Sequence, residues 1–407
     1  MNVCMLAYTH YEEDNRVMRY AEALAARGDR VDVIALRHPN EPTQANVHGV
    51  NVLKIQTRIL NEKRKSSYLF RILSFLFRSA WFLAKRHREV RYDLVHVHSV
   101  PDFLVFAALY PRLTGSKVIL DIHDILPEFY ASKFGVSKKS TIFKTLLLVE
   151  WASARFVDHV IIANDLWRER ITSRSVPPKK CTTILNFPDN LIFSRRIKVR
   201  ADDRLVILYP GSLGWHQGLD IAIRAFAKIC DQVPTAEFHI YGAGGEKQRL
   251  IELSQNLNLH NRLFMHPSLP LREIAHVMAD ADLGVVPKRS DTFGNEAFST
   301  KILEFLTVGV PLIVSDTAID KYYFNDSVVR FFPSGNVDSL AISMLELLTN
   351  AALRTQMVEN GVAFAKQYEW EANKHSYFSL IDSLMPVGSD VRVDQVGIGR
   401  GAAAPKA

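Results

Sequence analysis

Glu296 and Glu304 bracket Lys301 in the stretch 295–316, NEAFSTKILEFLTVGVPLIVSD. Phe298, Ile302, Leu303, Phe305 and Leu306 have helical spacing, and Gly309 and Pro311 end the helix before an apolar strand. A helix opening near Phe298 turns its first free N–H groups and its positive dipole end toward the polar loop KRSDTFGNE, which makes an anion site. Lys301 falls in the first turn, Glu304 one turn on along the same face, and Glu296 just ahead of the helix. The amides and Lys301 can neutralise a diphosphate. One carboxylate can accept from vicinal ribose hydroxyls and another from sugar hydroxyls. Solvated surface positions would give the same spacing, but these residues bracket a loop-to-helix turn after a strand.

A second group lies at 118–128, VILDIHDILPE, where a strand ending at Ile122 leaves His123, Asp124 and Glu128 at its carboxyl end, facing a cleft. His96 and His98 alternate in DLVHVH and share a face; His98 is read as cleft-lining and His96 as packing. A third ligand to make them a metal site is not read, and neither an Asp-x-Asp pair nor a His/Cys cluster is read as one. Asp14 and Arg16 stand at the mouth of the first helix. They are either acceptor contacts or a cap with a surface neighbour. That turn lacks Gly-x-Gly-x-x-Gly, which removes the main support for a nicotinamide enzyme.

The elements that position these residues follow a repeated pattern. Apolar runs at 3–8, 31–36, 50–55, 94–98, 118–122, 160–163 and 183–185 alternate with amphipathic stretches such as 16–26 and 143–156. After a polar, basic stretch the pattern restarts at 205–209, 237–241, 262–265, 283–286 and 312–314. The expected architecture is α/β, with two doubly wound, Rossmann-like domains facing a cleft at the carboxyl ends of their strands. The expected division is 1–190 for the acceptor side, a linker at 191–203, 204–369 for the nucleotide-sugar side, a helix at 370–385 crossing back, and a disordered tail at 386–407.

The chain resembles the family 4 (group 1) glycosyltransferases over nearly its whole length. Glu296 and Glu304 match that family's Glu-x7-Glu pair, and GVPLIVSD matches the strand after it. YPGSLGWHQGLD at 209–220, YGAGGEKQRL at 241–250, with Gly242, and ADADLGVVP at 279–287 are similar to its glycine loops and to the strand before the donor loop. The resemblance implies a GT-B fold, a nucleoside-diphosphate sugar donor, retention at the anomeric carbon, no cofactor and no metal. It also implies that His123 contacts the transferred sugar or its phosphate, that Glu296 and His123 form the catalytic set, and that Asp14, Arg16, His98 and Asp124 lie on the acceptor side. One departure stands out. Ser212 and Gln217 occupy positions where the family often carries diphosphate-binding Arg and Lys. Lys301, Lys288 and Arg289 are the expected replacements, helped by the backbone of Gly211, Ser212, Leu213 and His216. A sugar-nucleotide-binding scaffold without activity and a nucleotide-sugar 2-epimerase are the alternatives.

Bulk properties narrow the setting. Of 407 residues, 48% are hydrophobic and 23% charged, as in a globular protein with full cores. Three scattered cysteines and a start without a basic, apolar leader point to the cytoplasm. Residues 60–91 carry nine Lys and Arg against two Glu, a net +7 equal to that of the whole chain. Arg64, Arg71, Arg78 and Lys85 form a stripe on an expected helix at 66–88 that also carries Phe70, Phe75, Phe77, Trp81 and Phe82. The arginines interrupt the apolar stretch, so it should not span a bilayer. It should instead lie on an anionic membrane surface, which would place the enzyme peripherally on the inner face of the cytoplasmic membrane. No nucleic-acid partner is expected; the acceptor is expected to be a glycan or a lipid-linked glycan of bacterial polysaccharide synthesis.

Overall fold

The computed structural model describes residues 1–57, 65–196, 202–291 and 293–385. The expected basic residues Lys63 and Arg64, part of the linker and the tail at 386–407 lie outside them.

The apolar runs of the first half pair as one sheet. Its strands are β1 (Asn2–His10), β2 (Arg30–Arg37), β3 (Gln44–Val47), β4 (Val50–Thr57), β5 (Leu94–His98), β6 (Lys117–Ile122), β7 (His159–Ile162) and β8 (Cys181–Thr183), in the order β3-β4-β2-β1-β5-β6-β7-β8. All neighbours are parallel except β3 and β4. The strand order reverses between β1 and β5, which opens a crevice at their carboxyl ends.

Strand periodicity sorts the side chains onto two cores. Cys4, Leu6, Val95 and Val97 face the helices Lys65–Val90, Asp102–Ala108, Thr141–Phe156 and Asp165–Thr172. Val3, Met5, Ala7 and Leu94 face the helix Asn15–Ala26. The helix Trp370–Leu384 packs on this second core through Trp370, Tyr377 and Ile381, so a segment that follows the second sheet in sequence completes the first domain.

The second sheet contains β9 (Leu205–Pro210), β10 (Ala236–Tyr241), β11 (Leu263–His266), β12 (Leu283–Val286), β13 (Leu312–Ser315) and β14 (Arg330–Phe332), all parallel, in the order β11-β10-β9-β12-β13-β14. Its reversal lies between β9 and β12, beside the glycine loop and the donor loop.

Two strands had no signal in the sequence reading. β3 is a four-residue polar edge strand paired antiparallel with β4, and β14 has only three residues. Neither offers enough alternation to register as a period. The expected strand at 183–185 ends instead at Thr183, and the helix expected near Phe298 begins at Thr300.

Candidate active site

A cleft of about 630 Å³ lies between the two sheets, lined by Asp124, Phe129 and Ser132 from the first domain and by Ser212–Gln217, Lys288, Phe293 and Ala297–Lys301 from the second. The helix Thr300–Val308 opens onto it. Ser299 holds the N-cap position, yet its side chain makes no cap bond, and its buried hydroxyl has no partner. A buried hydroxyl left open at a helix mouth suits an incoming anion.

Lys301 stands at the same mouth. Its aliphatic end lies beside Gly211, where an added Cβ would come within 3.0 Å of Cε and 3.1 Å of Nζ. Gly211 has φ +137, so glycine both adopts the backbone and leaves room for the lysine. Burial pushes the Lys301 ammonium down to about 8; Glu304 opposes the shift and Lys288 adds to it. A poorly solvated ammonium at a helix N-terminus is a strong counterion for a phosphate.

The glycine loops interlock. Gly211 N–H donates to Tyr241 O at 2.8 Å and Leu213 N–H to Ala243 O at 2.9 Å. A Cβ on Gly242 would sit 1.9 Å from Gly211 O. The amides of Gly211 and Leu213, expected to help hold phosphate, are therefore committed between the loops. Their role is to shape the floor under Lys301.

The other expected cations are also committed. Lys288 is buried and donates to Ala297 O at 2.8 Å and to Asp320, whose Oδ2 lies at 2.9 Å. Arg289 holds both Asp220 oxygens at 2.6 Å and stacks over Trp215 at 3.8 Å. Arg289 is absent from the cleft lining, so the expectation of a phosphate contact there is corrected. Lys288 reaches the cleft wall with its charge already paired. Gln217 is buried beside His216 and within 3.4 Å of Ser212 Oγ, and serves as a polar wall in place of a cation.

Glu304 lines an adjoining cavity of about 350 Å³ with Arg19, Ile192, Leu271 and Arg272. Burial raises its carboxyl, against the pull of Lys301 and Arg19. Lys301 and Glu304 thus face neighbouring compartments along one helix. Glu296 does not line the cleft: its carboxylate accepts two hydrogen bonds from Arg170 of the first domain, one at 2.8 Å, and its carbonyl accepts from Asn164 at 3.1 Å. The loop carrying Glu296 is further docked by Phe293, which meets Phe129 at 5.1 Å and Trp167 at 5.8 Å.

On the first domain, Asp121 is the hub. Arg16 Nε and Nη2 donate to its two oxygens at 2.7 and 2.8 Å, all within the protein interior. His123 Nε2 lies 3.2 Å and His98 Nδ1 3.3 Å from Asp121 Oδ2. Burial disfavours the His123 charge, but Asp121 outweighs it and raises the imidazole; burial lowers His98 and His96. His96 Nδ1 reaches Tyr377 OH of the last helix at 2.8 Å. Arg16 is therefore a buried partner of Asp121 and not a surface residue. Asp14 caps the first helix by accepting from the Arg16 and Val17 amides. Asp124 borders the cleft with its carboxyl raised by burial. Glu128, expected to face the cleft, turns inward to Arg174 at 2.5 and 3.0 Å.

Two metal-related readings change. Asp121 joins His96 and His98 as a third potential ligand within 4.8 Å, supplied by the neighbouring strand, although Arg16 already holds both its oxygens. Asp280 and Asp282 have Asp-x-Asp spacing, but Asp282 accepts the Val206 N–H at 2.8 Å, at the amino-terminal end of the sheet and away from the cleft.

The sequence reading missed Asp121, Arg170, Ser299 and Phe293. Asp121 did leave a signal, because an acid inside the apolar run VILDI must find a buried partner.

Two Rossmann-like domains whose strand ends face one cleft, with an anion site on the second, define a GT-B protein. Residues 14–186 match the glycosyl transferase 4-like domain and residues 192–364 the glycosyl transferases group 1 domain. The D-inositol 3-phosphate glycosyltransferase of Acidothermus cellulolyticus is 25% identical, over 87% of this chain and 82% of its own. Among solved structures, sucrose-phosphate synthase from Thermosynechococcus elongatus has a TM-score of 0.78 at 18% identity, covering 94% of this chain and 99% of that one. HepE from Anabaena, solved with UDP and glucose, has a TM-score of 0.71 at 18% identity, covering 94% of this chain and 100% of that one. The chain belongs to the group 1 (family 4) glycosyltransferases and is a glycosyltransferase of the GT-B type.

Proposed function

We propose that this enzyme moves a hexosyl or N-acetylhexosaminyl group from a nucleoside-diphosphate sugar to a glycan or lipid-linked acceptor, with retention of configuration and without a metal. The observation that carries this reading is the pairing of Lys301 with the uncapped mouth of the helix Thr300–Val308, beside the unpartnered Ser299 hydroxyl. In this reading the nucleoside occupies the compartment of Glu304, which accepts from the ribose, and the diphosphate lies at Lys301. The sugar extends toward Asp124 and His123. The leaving diphosphate is stabilised by Lys301 and the helix amides and takes the acceptor proton as the acceptor attacks from the same face. His123, whose imidazole Asp121 raises above its ordinary value, adds positive charge from the first domain when it is protonated. Glu296 reaches the sugar only after releasing Arg170, which makes that ion pair a gate between the domains.

Two results test this assignment. Glu304→Ala should weaken UDP-sugar or GDP-sugar binding by about 1.5–3 kcal/mol while the fold persists. Calorimetry showing wild-type affinity would remove Glu304 from the ribose. Transfer measured with excess EDTA should match the untreated rate, since Lys301 and helix amides supply the positive charge. A loss restored by Mg²⁺ or Mn²⁺ would overturn the metal-free clamp.

The helix Lys65–Val90 carries Arg71, Arg78 and Lys85 beside exposed Phe70, Phe77 and Trp81, and we propose that it rests on an anionic membrane. Among the described residues, no helix is long and apolar enough to cross a membrane.

A further inference from the structure

Resting on that membrane reading, we infer that the lipid contact is a face built from three segments, with the helix Thr141–Phe156 as a second footing beside the basic helix. Twelve of the seventeen large hydrophobic side chains exposed among the described residues lie on this side of the first domain, in Lys65–Val90, Asp102–Leu113 and Thr141–Phe156. The remaining five, Phe134, Leu191, Trp215, Tyr322 and Ile342, lie outside these segments. Leu113 is 77% exposed, Trp81 66%, Leu148 61% and Trp151 43%, which is far from the burial such side chains seek.

Packing makes the surface continuous. All three helical segments sit on the same core, against the same face of the first sheet. Cations join one segment to the next: Arg88 lies 5.5 Å over Tyr110, and Arg112 lies 4.7 Å over Phe156, whose ring meets Phe106 at 5.1 Å. At the far edge, Arg155 covers Trp151 at 5.1 Å, and Lys85 covers Trp81 at 5.5 Å on the near one.

The charge selects the occupant. Arg78, Lys85, Arg88, Lys144 and Arg155 are exposed on these helices. The acids on them are few: Glu89 is paired with Arg86, while Glu150 is buried against Arg174. Exposed aromatic and leucine side chains ringed by cations match the headgroup region of an anionic bilayer, where rings sit at the interface and cations meet phosphate. A face on one side of the domain also holds the enzyme in one orientation, which a single helix free to roll would not.

The test is flotation with vesicles of equal phosphatidylglycerol and phosphatidylcholine, compared with phosphatidylcholine alone. Wild type should float with the anionic vesicles. Leu148→Asp/Trp151→Asp, which leaves the helix Lys65–Val90 untouched, should lose about tenfold or more in partitioning. Arg71→Glu/Arg78→Glu/Lys85→Glu should lose on the order of a hundredfold at low salt. Both variants should bind UDP or GDP as wild type does, which controls for folding. If the Leu148/Trp151 variant floats like wild type while the charge variant does not, the second footing is wrong and the single-helix reading stands. If wild type itself stays behind, the membrane reading fails with it. If wild type self-associates without lipid and the Leu148/Trp151 variant is monomeric, the face is an interface between copies and the inference is overturned.

Discussion

Lys301→Met is expected to lower kcat/KM by roughly two to three orders of magnitude, the scale set by removing one group that stabilises charge developing in a transition state. The loss should appear in nucleotide affinity as well, since a charge-assisted hydrogen bond contributes about 1.5–3 kcal/mol. The reason is positional. Lys288 is paired with Asp320 and Arg289 with Asp220, so among the described cleft residues Lys301 is the lysine without a carboxylate in salt-bridge range. Its pH dependence follows from its environment. Burial holds the free enzyme's Lys301 at about 8, whereas a bound diphosphate must raise it. UDP or GDP affinity should therefore be flat below that value and weaken above it, by up to about tenfold per pH unit for one proton. The Met variant should show no such alkaline limb. Calorimetry across the range decides the matter: a Met variant as tight as wild type, or a wild type indifferent to alkaline pH, would remove Lys301 from the diphosphate site.

Asp121→Asn should cost about 3–5 kcal/mol of stability, because it leaves the buried Arg16 guanidinium without its counter-charge. The pH dependence should change in a defined direction. Asp121 is held well below the usual carboxylate range, with burial opposed and overcome by Arg16 and His123. Its pairing therefore contributes stability above the ordinary carboxylate pKa and loses it as pH falls through the depressed one. His123 is raised above the ordinary imidazole value, so its share is complete below that value and disappears as pH rises through the raised one. Urea midpoints measured between about pH 4 and 8 should fall for the Asn variant throughout, and its neutral-range slope should flatten as His123 returns toward its ordinary titration. NMR titration of the His123 ring gives a second readout in any variant that folds. An unchanged midpoint together with an unchanged His123 titration would show that Asp121 is no hub.

Much of the scaffold was readable because it depends on local physics. Alternating apolar runs and amphipathic stretches place strands and helices through periodicities of two and 3.6, and the restart at Leu205 separates two domains without any contact information. The helix mouth at Lys301 was readable for the same reason. A capping position, an apolar stripe and a terminating Gly309 are consecutive in the chain.

What the sequence could not determine is which charges remain available, because pairing depends on distance in space. Lys288, Arg289 and Lys301 look alike as three basic residues near one loop. Only folding brings Asp320 and Asp220 to the first two and Gly211 to the third. In the same way, Arg16 meets Asp121 across 105 positions, and Arg170 meets Glu296 across 126. The membrane-like face divides along the same line. Its basic helix was visible as a run of charge, but the helix Thr141–Phe156 reads alone as ordinary amphipathic packing. Its exposed Leu148 and Trp151 acquire meaning because the sheet seats their helix on the same core as the segments that carry Leu113 and Trp81.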